Sequence, residues 1–156
     1  MSATTRERPL GSTLSARGGR PGLLPAARAL GALSLLAAGA VHLQQYFELY
    51  SGVPTIGTLF VLNFVGATVV GLGLLTPVER MPGRLGEPLL ALLTIAGIAQ
   101  AATAFVFLYI SERTPLFGFM EPGYDPTAIT VARVSEIATV VFLGAFFAGR
   151  FLRRRA

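Results

Sequence analysis

Five side chains able to do chemistry lie where chemistry is costly: His42, Asn63, Gln100, Arg133 and Glu136, each embedded in a long apolar run. Arg133 and Glu136 are three residues apart and so share one face of a helix. An ionised group at such depth costs at least ~2.5 kcal/mol, so it faces the bundle interior and has a partner. The chemistry on offer is an ion pair that locks two helices, a proton site, or hydrogen bonding to a lipid head group or quinone carbonyl. For Arg133 and Glu136 the ordinary alternative is the structural pair. For His42 it is a buried ring hydrogen-bonded to Glu136 or Gln100. A single histidine falls short of the three or four ligands of a protein-only metal site. His42, Glu136 and Glu48 would make a weak set, and one His42 from each of two subunits would suit a haem. Gln45, Tyr46, Glu48, Glu121 and Tyr124 are candidates for the rim of the same site.

The elements that position these residues are set by composition. Of 156 residues 53% are hydrophobic and 13% charged, with mean hydropathy +0.63. Those values suit lipid rather than water as solvent. Four apolar runs, at about 26–49, 55–75, 88–110 and 127–151, are long enough to cross ~30 Å of hydrocarbon at 1.5 Å per residue. The first is preceded by a tail, 1–25, rich in Ser, Gly, Pro and Arg, which cannot bury enough apolar surface to fold and reads as disordered. Ala38-Gly39-Ala40 offers a signal-peptide cleavage site. The apolar pattern running on through Leu43, Tyr46 and Phe47 favours a retained helix. Pro54 suits the first position of the second helix, and Glu87-Pro88 the first turn of the third. The connection 111–125 mixes Leu116, Phe117, Phe119, Met120 and Tyr124 with Pro and Gly, and is expected on the membrane surface or folded over the bundle mouth. Residues 153–156 form a basic end. The fold class is an all-α, four-helix antiparallel transmembrane bundle.

Every basic residue is an arginine, and their excess lies in the tails. The tail through Arg28 holds five, the 76–87 loop two and the C-terminal end four, while the 48–54 turn has none and the 111–125 loop has one against three acids. The positive-inside rule then puts both termini in the cytoplasm, with Arg28 snorkelling to the inner interface. No aromatic-interleaved basic surface suggests nucleic acid. The absence of cysteine excludes disulfides, thiolate metal sites and cysteine nucleophiles.

At 1.5 Å per residue Arg133, Glu136, His42, Asn63 and Gln100 fall ~9, ~13, ~10, ~12 and ~15 Å below the outer face. Every span therefore contributes at least one strongly polar residue to a common outer band, the fourth contributing both Arg133 and Glu136. Asn63 shares its stripe with Gly66, Ala67 and Gly71, Gln100 with Ala96, Gly97, Thr103 and Ala104, and Glu136 with Val140, Gly144 and Ala148. Small residues mark close helix approach in lipid, so these polar groups are expected to meet one another.

No catalytic triad, P-loop or dinucleotide fingerprint is present, and glycine runs such as 66–73 sit within a helix. Gly39-Ala40-Val41-His42-Leu43 with Pro54-Thr55-Ile56-Gly57-Thr58-Leu59-Phe60-Val61-Leu62-Asn63, and Phe117-Gly118-Phe119-Met120-Glu121-Pro122-Gly123-Tyr124 leading to Arg133 and Glu136, resemble small four-span membrane proteins of actinobacteria. In architecture the chain is loosely similar to DoxX-like membrane proteins. The resemblance implies a bacterial cytoplasmic membrane location and the four-span topology, and no activity. The function expected is a non-enzymatic module that binds a small amphiphile or membrane lipid, or serves as subunit of a complex with a membrane protein partner or in a homo-oligomer. The second reading is a quinone- or haem-linked redox accessory protein, and the third a small transporter or proton pathway.

Overall fold

A computed structural model describes residues 22–152. The tail through residue 21 and the basic end 153–156 lie outside the described residues. Among the described residues the regular elements are helices, four of them long and apolar enough to cross a membrane.

Helix α1, Leu23–Gln45, runs on as a π-type turn, Tyr46–Tyr50, giving a span of 28 residues. It starts three residues earlier than the apolar run suggests, because Pro25 falls in the first turn, where its missing N–H goes unnoticed. Ala38 and Gly39 are buried in its middle. Helix α2 is Ile56–Leu75. Pro54 is not its first residue. Instead the Pro54 carbonyl accepts from Ile56 N at 2.7 Å across Thr55, whose φ is 64°. That is a γ-turn of the strained, positive-φ kind, unusual for a β-branched residue. Helix α3, Gly86–Ser111, has Glu87 and Pro88 in its first turn as the sequence indicates. Helix α4, Pro126–Phe147, is capped by Asp125, whose Oδ1 accepts from Thr127 N and Ala128 N. Proline at the first helical position completes a strong start.

The helices form a ring in chain order, each packed on its two sequence neighbours, with α4 closing onto α1. This is the antiparallel four-helix bundle that short connections favour. Ala32, Leu74, Leu90, Leu143 and Phe146 make the core. All lie toward the end of the bundle that carries both chain termini. Leu143 is the key of that core: a methyl on Gly31 of α1 would lie 2.5 Å from its Cδ2, and one on Gly97 of α3 2.8 Å from its Cδ1. The two glycines thus form a socket that only a bare backbone leaves open. Outward, Leu62, Val65, Val69 and Leu72 on α2 and Val134, Ile137 and Val141 on α4 are exposed. Such continuous apolar faces require lipid around them.

Candidate functional site

At the other end the bundle is hollow. A cavity of about 440 Å³ lies among α1, α2, α3 and the loop after α3. His42, Asn63 and Gln100 line it together with Leu59, Phe60 and Phe107. Leu62, Ala99 and Thr103, also in its wall, are exposed, so it opens sideways between α2 and α3, onto the lipid-facing surface.

The five sequence candidates resolve into three pairs rather than one cluster. Gln100 Nε2 donates to the Asn63 backbone carbonyl at 2.7 Å and to Asn63 Oδ1 at 3.2 Å. Gly66 makes this possible, since a methyl there would lie 2.8 Å from Gln100 Oε1. Asn63 lines the cavity, and its amide nitrogen makes no hydrogen bond among the described residues. His42 lies across from them, its ring tilted against Phe60 at 5.0 Å. Its Nδ1 faces the Ala38 carbonyl at 2.8 Å. A carbonyl can only accept, so Nδ1 carries a proton. Nε2 lies 4.0 Å from Glu136 Oε1. Glu136 is 1% exposed and its second oxygen, Oε2, has no partner among the described residues.

Arg133 does not meet Glu136. Its guanidinium pairs with both carboxylate oxygens of Glu112, at the end of α3. The physical reason is length: the arginine side chain reaches the end of the bundle opposite the termini, where the pair is cheaper to hydrate than at the level of Glu136. The Glu136 stripe also differs from expectation. Ala132, Ser135, Thr139 and Leu143 are buried with it, whereas Gly144 has nothing near and Ala148 is exposed.

The rim residues divide similarly. Gln45 is buried and donates to Asp125 Oδ2 at 2.9 Å, tying α1 to the cap of α4. Glu48 is exposed and accepts from Gln44 and Gln45. It therefore faces away from His42, and the weak metal set of His42, Glu136 and Glu48 is not gathered. Tyr46 packs beside Gly57, and Tyr124 is 67% exposed. Glu121 is buried and holds the loop in place. It accepts from the Tyr50 hydroxyl and from Gly123 N and Tyr124 N, while its own N–H donates to Ser111 O at 2.8 Å. The loop itself is a tight hairpin, Leu116 paired with Phe119 and both central residues, Phe117 and Gly118, at positive φ. That is the geometry of a two-residue primed turn. It folds Leu116 and Phe119 over the cavity, with Phe119 edge-on to Tyr50 at 5.6 Å.

Tyr50, Glu112 and Ser111 were not legible as site residues. Nothing local marks them; only the excess of acids in the 111–125 loop hints that one must serve an arginine. The fold and the site define a four-span helical membrane protein with a side-opening cavity in one half of the bundle. No family model, curated protein or solved structure matches the chain.

Proposed function

We propose that this protein binds a small membrane amphiphile in the cavity between α2 and α3. The observation that carries the reading is the distribution of its wall. Asn63, Gln100 and His42 give it a few polar atoms, while Leu59, Phe60, Phe107 and Leu108 are among the side chains that make most of its surface apolar. A mostly apolar pocket with a few convergent polar atoms suits a ligand with a greasy body and a hydrogen-bonding head. The lateral opening supports arrival from lipid rather than water.

A quinone is the ligand of the second reading, and the same wall supports it, because carbonyl oxygens are acceptors and the Asn63 amide is a donor. Haem between two copies of His42 has less support. One ring nitrogen is engaged with Ala38 and the other is turned inward toward Glu136. A transport route is ranked third, because the core around Leu143 separates this cavity from the termini-bearing end and the two ends share no lining residue.

The arginine distribution supports a bacterial cytoplasmic membrane location with both termini inside, which puts the cavity in the outer leaflet. The resemblance to actinobacterial membrane proteins supports the same location. The decisive experiment is native mass spectrometry with an absorbance spectrum on the full-length protein in mild detergent. A bound species of defined mass, lost in Gln100→Leu and Asn63→Ala but kept in Arg133→Ala, is the expected result. An empty wild type, or retention unchanged in both cavity variants, refutes it.

A further inference from the structure

A second cavity, of about 360 Å³, lies at the termini-bearing end, walled by the start of α1, the end of α2, the loop after it and the end of α4. We propose that it binds the phosphodiester head group of an anionic membrane lipid. Three arginines line it, Arg28, Arg80 and Arg150. They face one carboxylate in the wall, Glu79, with Glu87 behind Arg150, so the site is net positive.

The three differ in what they have left to give. Arg28 is spent: it donates to the Leu74 carbonyl at 2.6 Å, to Glu79 at 2.9 Å and to the Thr76 carbonyl. Arg150 gives one nitrogen to Glu87, but its Nε is buried and has no acceptor among the described residues. Arg80 is exposed and its side chain makes no hydrogen bond or ion pair among the described residues. Three guanidinium groups round a single wall carboxylate, one of them with no hydrogen bond or ion pair among the described residues, call for a ligand with several anionic oxygens, the chemistry of phosphate. Basic pockets between membrane helices take lipid head groups for this reason. A free phosphate would supply the same oxygens. The remaining wall, Leu24, Leu75 and Phe146, favours the lipid, because it continues the polar site into a surface fit for glycerol and acyl chain.

The test is native mass spectrometry of the full-length protein with phosphatidylglycerol, phosphatidylcholine of the same chains, and glycerol 3-phosphate. One phosphatidylglycerol should be retained in preference to phosphatidylcholine, and glycerol 3-phosphate should not displace it. Arg80→Gln, which removes no contact among the described residues, should weaken retention about five-fold, the equivalent of about 1 kcal/mol for one arginine near a lipid surface. Arg113→Gln at the opposite end and Gln100→Leu in the other cavity should not. Equal retention of both lipids, an unchanged Arg80→Gln, or equal losses in Arg113→Gln would each overturn the proposal. Full displacement by glycerol 3-phosphate would overturn the lipid in favour of a soluble phosphate.

Discussion

Glu136 is costly to bury. It is 1% exposed, one oxygen has no partner among the described residues, and the other is 4.0 Å from a histidine nitrogen, beyond hydrogen-bond range. A buried polar group in that state is retained for function or specificity rather than stability. Glu136→Leu, close in volume, should therefore melt at or above the wild-type temperature in the same detergent. A drop of several degrees would show that Glu136 stabilises the bundle after all. This residue was legible in sequence, since a carboxylate in an apolar run stands out. Its separation from Arg133 was not. The three-residue spacing points to Arg133, yet spacing only says that two side chains share a face. A long guanidinium next to a nearer interface takes Glu112 instead.

At the scale of elements, two devices hold the helices where the site needs them. Leu143 fills the socket of Gly31 and Gly97, joining α1, α3 and α4 at once. Leu143→Ala leaves a void that none of the three backbones can close, so a loss of about 2–5 kcal/mol is expected, read as a lowered unfolding midpoint in detergent. Asp125 has a double role, since one oxygen caps α4 and the other accepts from Gln45 of α1. Asp125→Ala should cost about 0.5–2 kcal/mol for the cap alone. Asp125→Asn, which keeps a capping oxygen, should recover most of it; equal losses in both would assign the effect to charge. Helix existence and length were readable from apolar runs, and the cap of α4 from Asp-Pro. The start of α2 was not, because the γ-turn at Thr55 breaks the ordinary rule for proline before a helix.

The whole molecule is packed tightly around Leu143 and opens into a cavity toward each end. The termini-bearing end is tied by ion pairs between elements distant in sequence, Arg28 with Glu79 and Arg150 with Glu87. Partial burial would raise the Glu79 carboxyl, but a backbone hydrogen bond and the Arg28 guanidinium, with Arg150 adding to it, outweigh burial and hold it below the ordinary 4.5. A depressed folded value means that Glu79 contributes stability above pH 4.5 and loses it as pH falls through the lower, folded value. Unfolding midpoints measured from pH 6 down to about 3 should therefore fall less in Glu79→Gln than in wild type. Parallel curves would remove Glu79 from the acid response. Arg28, read in sequence as a snorkelling residue, also closes the Leu74 and Thr76 carbonyls at the C-terminal end of α2, orphan acceptors that a helix end must satisfy.

Sequence by itself determined the solvent, the four spans and the level at which polar residues sit, because hydropathy, length and the 1.5 Å rise act along one helix at a time. Only the tertiary structure decided which polar groups meet. It paired Asn63 with Gln100, turned His42 toward Glu136, sent Arg133 to Glu112, and left one half of the bundle hollow under a hairpin held by Tyr50 and Glu121. Those outcomes depend on helix rotation, side-chain reach and the few ångströms that Gly31, Gly66 and Gly97 concede, distances set between elements and invisible within any one of them.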